Sequence, residues 1–193
     1  MRRPLALTAL AATFWLLIGC NSGPTVAGPK PAPLGDYVAI IQTDLGSITV
    51  QLFPQQAPVA VGNFVGLAQG TQNWRNPKTG QVMTNTPFYD GLTFHRVIPK
   101  FMIQGGDALG TGAGDAGYTF NDETTPELTF DRPGRVAMAN AGPNTNGTQF
   151  FITVAPYPYG NGHYSIFGQV IQGQNAVDAI SQVPLDSNDK PLK

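Results

Sequence analysis

The sequence predicts a mainly β fold, a closed antiparallel barrel of short strands with helices over its open ends. The first observation behind this prediction is the turn content, since the 193 residues include 23 glycines and 17 prolines, the residues that turns favour. The second is a series of short β-branched or aromatic runs between those turns. The third is that two segments carry the apolar periodicity of a helix. Charged residues make up 12% and hydrophobic residues 41% of the chain, which excludes a disordered protein.

The N-terminus is predicted to be a secretion signal followed by a lipid attachment site. Two arginines precede an apolar stretch, residues 5–18, that is short for a membrane span and typical of a signal peptide. The stretch ends in Leu17-Ile18-Gly19-Cys20, which resembles a bacterial lipobox, and Cys20 is the only cysteine. We expect residues 1–19 to be a signal peptide and Cys20 to carry a lipid that anchors the protein to a bacterial membrane. The alternative is an uncleaved membrane anchor with an incidental cysteine. In both cases the domain faces out of the cytoplasm, on the periplasmic side in a Gram-negative cell.

Residues 20–36 are predicted to be a tether between the lipid and the domain. Proline and glycine dominate this stretch, and no helix or strand period is present. A partly extended conformation is therefore expected. The folded domain would then span residues 37–193, with no second domain and no internal repeat.

The domain is predicted to open with a β-hairpin. The runs Tyr37–Thr43 and Ser47–Phe53 are rich in β-branched residues and flank Asp44-Leu45-Gly46. In the second run apolar residues alternate with polar ones, which indicates a strand with one buried face. The alternating apolar residues are Ile48, Val50 and Leu52.

One helix is predicted over residues 58–69 and another over residues 174–182. The first helix has apolar residues at positions i, i+3, i+4 and i+7, which form one stripe. A proline in its first turn and Gly70 after its last residue suit its two ends. The second helix is expected to turn Val177 and Ile180 inward. The stripe of the first helix consists of Val61, Phe64, Val65 and Ala68.

Further strands and two loops are predicted between the helices. Residues 71–86 form a polar loop in which Trp74 is expected to be exposed or partly tucked in. The stretch 112–117 matches the GxGxxG pattern of dinucleotide sites, but it follows a loop and opens no helix, so a flexible glycine-rich loop is expected. The predicted strands are 93–98, 101–104, 135–139, 149–154 and 165–171.

Charge and residue content argue against several kinds of site. With 11 basic and 12 acidic residues the net charge is −1, and no basic stripe could neutralise the phosphates of a nucleic acid. Two histidines and one cysteine offer no cluster with metal-ligand spacing, so we expect neither a metal nor a cofactor. His95 is interpreted as structural, because strand alternation turns it away from the face of its neighbour Arg96.

Two segments, residues 94–107 and 138–152, combine residues typical of strands with polar side chains that are unusual in a hydrophobic core. In the first segment Arg96 and Gln104 lie on two short strands. Their even spacing would put them on one face if the strand continued, but Pro99 interrupts it. The alternative is an ordinary surface arginine and a surface amide.

These two segments resemble the signature stretches of the cyclophilins nearly residue for residue, and the similarity extends from Tyr37 to Lys193. The resemblance implies a closed, eight-stranded antiparallel barrel with two capping helices. It also implies a peptidyl-prolyl cis/trans isomerase that acts on proline-containing unfolded or flexible polypeptides, and we expect a monomer. The competing hypotheses are a binding module that holds proline segments without turnover and a purely structural surface lipoprotein.

The resemblance implies a role for each site residue. Arg96 matches the family's catalytic arginine, and Gln104 matches the glutamine that helps hold that arginine and the substrate backbone. Phe101, Met102 and Phe151 match the hydrophobic pocket for the proline ring, for which ordinary core packing is the alternative. Ala139, Asn140 and Ala141 match the edge that pairs with the peptide backbone, and Gln149 lies beside that edge.

The sequence departs from the family pattern in two places. Tyr159 stands where many relatives carry tryptophan and Tyr164 where they carry histidine, while His163 lies one place early. Tyr164 is therefore expected to face the substrate, and Gly160 gives a thinner pocket wall. The second departure is at the C-terminus. The given sequence ends at Lys193, whereas relatives continue past a similar segment into a last strand. Either the barrel lacks its closing strand, which would leave an unpaired edge, or the sequence is incomplete.

Overall fold

Short strands and two helices follow one another in nearly the order that the sequence predicts. The computed structural model describes residues 25–192. Each of the five strands predicted between the helices is found, with its ends within three residues of the prediction. The elements are β1 (Tyr37–Thr43), β2 (Gly46–Leu52), α1 (Pro58–Gln69), β3 (Trp74–Arg75), β4 (Val82–Met83), β5 (Arg96–Ile98), β6 (Met102–Gly105), β7 (Arg135–Met138), β8 (Phe150–Thr153), a 3₁₀ turn (Pro158–Gly160), β9 (Ile166–Gln172) and α2 (Gln174–Ile180).

Seven of the strands form one antiparallel sheet in the order β1-β2-β9-β7-β8-β6-β5. A mainly β fold with this sheet and two helices is therefore confirmed, whereas the predicted closed, eight-stranded barrel is not confirmed, because the sheet has seven strands. Within residues 25–192, β1 and β5 remain the two edges of the sheet. The Val97 N–H on β5 donates to the Asp189 carbonyl at 2.8 Å. In the part of the chain that the structure describes, this contact does not extend into a strand, and Leu185 forms an isolated antiparallel bridge with Pro191.

The hairpin of β1 and β2 packs one face of the sheet onto helix α1. Ile48, Val50 and Leu52 are each at most 2% exposed, as the alternating pattern predicts. They belong to the main core, which also contains Val61 and Phe64 of α1. The hairpin and helix thus supply much of the apolar burial that stabilises the domain.

Helix α1 begins and ends where the sequence predicts, but its buried face is rotated from the predicted stripe. Ala68 is exposed and Leu67 is fully buried instead, because α1 packs against two clusters, and Leu67 belongs to the smaller one. Gly70 ends the helix with a φ of 75°, the left-handed conformation that glycine adopts without strain. The Glu123 carboxylate accepts the N–H groups of Val59 and Ala60 at 2.9 and 2.8 Å, which satisfies free donors at the helix N-terminus.

Helix α2 is shorter than predicted, since it ends at Ile180 and not at residue 182. Val177 and Ile180 are nevertheless buried in the main core, as predicted. Among residues 25–192, neither helix has the length and apolar character needed to cross a bilayer.

The prediction of a polar loop in which Trp74 is exposed or partly tucked in is wrong. Residues 71–86 contain the small hairpin of β3 and β4, and Trp74 is only 8% exposed. Its ring packs edge-on against Phe88 at 4.9 Å between centroids, and its Nε1–H donates to the Thr86 carbonyl at 2.9 Å. The tryptophan is buried because Leu67 and Phe88, which lie outside the loop, form an apolar cluster beneath it.

The described part of the predicted tether lies against the domain. Val26 is 8% exposed, and the Ala32 N–H donates to the Pro58 carbonyl at 2.8 Å. The Lys30 carbonyl lies so close to α1 that a Cβ at Gly62 would collide with it. The signal peptide and the lipidation of Cys20 fall on residues outside those that the structure describes, and both stay predictions.

Candidate functional site

A row of residues across four strands forms the floor of the site. Arg96 on β5 lies opposite Gln104 on β6, which lies opposite Phe151 on β8, which in turn lies opposite Ala137 on β7. Directly opposed residues of antiparallel strands point to the same face, so these side chains share one face of the sheet. We call it the site face.

The opposite face of the same strands belongs to the main core. The next row of opposed residues runs through Val97, Ile103, Ile152 and Val136, and all four are at most 1% exposed. Since successive strand residues alternate between faces, the core holds the strands in place beneath the site face, on which Arg96 is exposed.

The turn between β5 and β6 brings Arg96 and Gln104 together. Phe101 N–H donates to the Ile98 carbonyl at 3.0 Å, and Lys100 adopts a φ of 65°. The interruption at Pro99 is thus a reversal of the chain, and the two residues that the sequence left apart become direct neighbours. Arg96 is exposed, and its Nη1–H donates to the Gln104 Oε1 at 3.4 Å.

Gln149 continues this polar chain toward the glycine-rich loop. Gln104 donates through Nε2 to the Gln149 Oε1 at 2.9 Å. Gln149 in turn donates through Nε2 to the carbonyls of Gly112 and Gly114 at 3.0 and 3.1 Å. Both amides are therefore oriented by their partners, and the Gln104 carbonyl faces the Arg96 guanidinium.

Asp107 holds the glycine-rich loop and was not predicted as a site residue. Its carboxylate is 2% exposed and accepts the N–H groups of Leu109, Thr111 and Gly112 at 2.8, 2.8 and 2.5 Å. Burial alone would raise the pKa of Asp107, but these backbone donors hold it below its ordinary value. A Cβ at Gly114 would collide with the Asp107 carboxylate, so the loop closes tightly on this residue.

An apolar cluster lies on the site face beside the polar chain, and we call it the pocket because the predicted proline-binding residues belong to it. Phe101, Met102 and Phe151 belong to a cluster distinct from the main core, with the Phe101 and Phe151 rings 6.1 Å apart. Phe130, which sequence analysis missed, is fully buried and stacks on Phe151 at 5.8 Å. Phe130 stands between Thr129 and Asp131, so no local apolar pattern indicates that it reaches this cluster.

Tyr164 forms one side of this pocket. Its ring meets Phe151 edge-on at 5.3 Å and Phe130 at 6.3 Å. The neighbouring His163 is exposed. This geometry places Tyr164 and not His163 beside the predicted pocket residues.

The predicted backbone-pairing edge lies next to the pocket. The Ala139 N–H donates to the Gln149 carbonyl at 2.9 Å, and Ala139 packs on the pocket cluster. The Asn140 Nδ2–H donates to the His163 carbonyl at 3.0 Å, and the Ala141 N–H to the Thr145 Oγ1 at 2.9 Å. The edge is thus fixed at both ends, between the polar chain and the Tyr164 segment.

His95 lies beneath the glycine-rich loop. It is 5% exposed, and within the described part of the chain neither ring nitrogen has a hydrogen-bond partner. Burial lowers the pKa of His95 below 6.5, an effect that the nearby Asp107 carboxylate opposes and the positive charge of Arg96 reinforces.

We expect the free energy of unfolding to fall as the pH is lowered below about 6.5, because of His95. The unfolded chain binds a proton near pH 6.5, whereas the folded chain does so only at lower pH. Between the two pKa values the unfolded state holds the extra proton, so stability is lost on acidification, by at most about 1.4 kcal/mol per pH unit. Urea unfolding of His95→Leu from pH 7 to 5 should show a weaker pH dependence than the wild type, with His163→Asn as control. Equal slopes for His95→Leu and the wild type would contradict this.

Comparisons with known proteins identify the family of this chain. The family described as cyclophilin type peptidyl-prolyl cis-trans isomerase/CLD matches residues 37–193. The peptidyl-prolyl cis-trans isomerase A of Mycobacterium tuberculosis is 52% identical over 164 residues, 83% of this chain and 88% of the relative. The isomerase B of Streptomyces anulatus is 51% identical over 158 residues, 80% of this chain and 90% of the relative.

A solved structure shows the same fold. The crystal structure of a Cryptosporidium parvum cyclophilin-type isomerase has a TM-score of 0.72 and 37% identity, covering 82% of this chain and 92% of that one. The same enzyme in the presence of the dipeptide Ala-Pro has a TM-score of 0.69 and 38% identity, covering 81% and 92%. Given the family match and these identities, this chain belongs to the cyclophilin-type peptidyl-prolyl cis-trans isomerases.

Proposed function

We propose that the chain accelerates rotation about X-Pro bonds in extracytoplasmic polypeptides, with Arg96 stabilising the twisted amide. The observation that carries this proposal is the row on the site face, where the Arg96 cation and the apolar pocket flank Gln104. The crystals of the Cryptosporidium parvum relative with Ala-Pro support a proline peptide as ligand. The alternatives for these residues, a surface arginine and core packing, leave unexplained why both kinds of residue share one face of the sheet.

The chemistry to be accelerated is a rotation and needs no covalent intermediate. Amide resonance gives the bond a barrier of about 18–20 kcal/mol, and uncatalysed X-Pro isomerisation takes tens to hundreds of seconds. As the bond twists, the proline nitrogen loses conjugation and gains a lone pair. A positioned N–H donor that binds this lone pair favours the twisted state over both planar states.

Two parts of the site would hold the substrate on either side of the rotating bond. The proline ring would sit against Phe101, Met102 and Phe151, which bind it by apolar contact. The peptide backbone would pair with the edge at Asn140. Fixing both sides restricts the substrate to geometries from which rotation occurs.

Arg96 is suited to the donor role because of its charge and its contact with Gln104. Arginine remains protonated at any physiological pH, and its planar guanidinium offers several N–H donors. The polar chain through Gln104 and Gln149 to the glycine-rich loop would keep one donor engaged. The other donors would stay free to meet the proline nitrogen.

The proposed activity is tested by isomerisation kinetics on a short Ala-Pro peptide at substoichiometric enzyme. We expect catalytic turnover, with the approach to cis/trans equilibrium proportional to enzyme concentration. A domain that binds the peptide in a titration but leaves the rate unchanged would be the binding module, and the proposal would be wrong.

We further propose that the chain acts as a monomeric lipoprotein outside the cytoplasm. The apolar stretch 5–18 and the Leu17-Ile18-Gly19-Cys20 sequence support this location. Its substrates would be unfolded or flexible proline-containing polypeptides, because an extended segment could pair with the edge of the site face. A role in protein folding follows, since slow X-Pro isomerisation limits folding rates.

Cys20→Ser is expected to abolish lipid attachment and leave a precursor that retains residues 1–19. The reason is that the lipid would be attached through the Cys20 thiol, which a serine hydroxyl does not replace. Mass spectrometry of protein from native membranes measures both changes, and Ser22→Ala, just outside the lipobox, serves as control. An unmodified Cys20 in wild-type protein would refute the lipoprotein assignment.

A further inference from the structure

Gly160 has no side chain to contribute to the pocket wall, and the ring of Tyr157 occupies the space that such a side chain would take. A Cβ built on Gly160 would lie 2.6 and 2.8 Å from the Cδ1 and Cε1 atoms of Tyr157. Both distances are shorter than real Cβ contacts, so the ring occupies the space that a side chain at residue 160 would take. Tyr157 therefore supplies the part of the pocket wall that was expected to be thin at Gly160.

Tyr157 packs directly on the predicted proline-binding surface. Its ring centroid is 4.2 Å from that of Phe101, with an angle of 40° between the planes. It meets Phe130 edge-on at 6.1 Å and belongs to the cluster that contains Met102 and Phe151. Contacts at these separations are worth about 0.5–1.5 kcal/mol per aromatic pair beyond the area they bury. Phe101 is itself half-buried, and Tyr157 packs directly against its ring.

The backbone at Tyr157 is fixed from both sides. Pro156 and Pro158 flank it, and a residue before proline has few allowed conformations. The Tyr157 N–H donates to the Phe130 carbonyl at 2.8 Å, and its carbonyl accepts the Gly160 N–H at 3.0 Å. The ring is thus anchored at low entropic cost before any ligand arrives.

We propose that Tyr157 is a pocket residue that sets the affinity for the proline ring, in place of a side chain at residue 160. This inference rests on the proposed function, because it takes the Phe101 surface as the proline site. Tyr157 lies on the apolar side of the site, away from the polar chain that orients Arg96. It therefore contributes to binding the planar and the twisted substrate alike, and uniform binding changes KM without changing kcat.

Tyr157→Ala is expected to raise KM for an Ala-Pro peptide, and its dissociation constant, about five- to tenfold with kcat within twofold of the wild type. Tyr157→Phe keeps the ring and is expected to behave as the wild type. Thermal unfolding checks that each variant is folded, and Tyr157→Leu, which keeps apolar volume, replaces the alanine variant if that variant unfolds. Unchanged KM and dissociation constant in a folded Tyr157→Ala or Tyr157→Leu would overturn the inference.

Gly160 provides the reciprocal test. Gly160→Leu alone is expected to weaken peptide binding, because its Cβ collides with the Tyr157 ring. In the Tyr157→Ala background the same leucine enters the vacated space, with Phe130 Cδ2 at 3.0 Å as the nearest remaining contact. The double variant should then bind the peptide more tightly than Tyr157→Ala does, whereas additive losses would contradict a shared space.

The titration separates this inference from the proposed function. If the wild type binds the peptide without catalysing isomerisation, the proposed function is wrong. The dissociation constants of the Tyr157 variants still decide whether Tyr157 forms the pocket wall.

Discussion

Arg96→Ala is expected to lower kcat/KM for an X-Pro peptide about 10²–10³-fold, the loss typical of removing one preorganised transition-state donor. Peptide affinity should change little, because the pocket of Phe101, Met102 and Phe151 is untouched. The effect falls on kcat since the proposed donor acts only on the twisted amide. Steady-state kinetics together with a binding titration measure the two quantities separately.

Two further arginine variants sharpen this test. Arg96→Lys keeps the charge but loses the planar set of donors, so we expect an activity between those of the wild type and the alanine variant. Arg132→Ala is the matched control, because Arg132 is exposed and paired with Asp131, and exposed ion pairs contribute little to stability. An Arg96→Ala enzyme with wild-type turnover would remove Arg96 from the mechanism.

Asp107→Asn is expected to destabilise the domain by about 2–4 kcal/mol and to reduce isomerase activity. An amide at this position keeps one acceptor oxygen but presents its NH₂ group to backbone donors, so one or two charge-assisted hydrogen bonds are lost in a buried place. The loop would then no longer hold the Gly112 and Gly114 carbonyls against Gln149, and the chain that orients Arg96 would loosen.

Asp115→Asn is the control for the Asp107 variant. Asp115 lies in the same loop but is exposed, and its carboxylate accepts a local bond from the Gly117 N–H at 2.7 Å. We expect its unfolding free energy to stay within about 0.5 kcal/mol of the wild type. Denaturant unfolding and kcat/KM are measured on both variants, and equal effects would show that Asp107 has no special part in the loop.

Patterns with a local cause could be predicted from the sequence. The alternation of Ile48, Val50 and Leu52 indicated a half-buried strand, and the structure buries those residues. Proline and glycine at the ends of α1 marked its bounds correctly. Both signals arise from neighbouring residues, because side-chain alternation and capping depend only on the local backbone.

Features with a long-range cause could not be predicted in this way. Trp74 is buried by Phe88 and Leu67, which local polarity around residue 74 does not reveal. The rotated face of α1 has the same origin, since two clusters and not one cover the helix. Whether a strand closes the sheet between β1 and β5 depends on pairing across the whole barrel, and such pairing is set by tertiary contacts.

The candidate site shows the same division. The resemblance pointed to Arg96, Gln104 and Phe151, and strand pairing brings these three into one row. Phe130 and Tyr157 were not predicted because they act through contacts distant in sequence, whereas the hydrogen bonds of Asp107 are local. No sequence pattern around Asp107 predicts that its carboxylate binds the glycine-rich loop. Tyr157 and Phe101 are in contact although they are far apart in the sequence.

The most direct test of the account is the rate of cis/trans interconversion of an Ala-Pro peptide while it is bound, measured by NMR exchange at saturation. The account predicts that Arg96→Ala slows this bound-state rate at least about 100-fold, while the peptide dissociation constant stays within about threefold. A bound-state rate that is the same in Arg96→Ala and the wild type would contradict the claim that Arg96 stabilises the twisted amide.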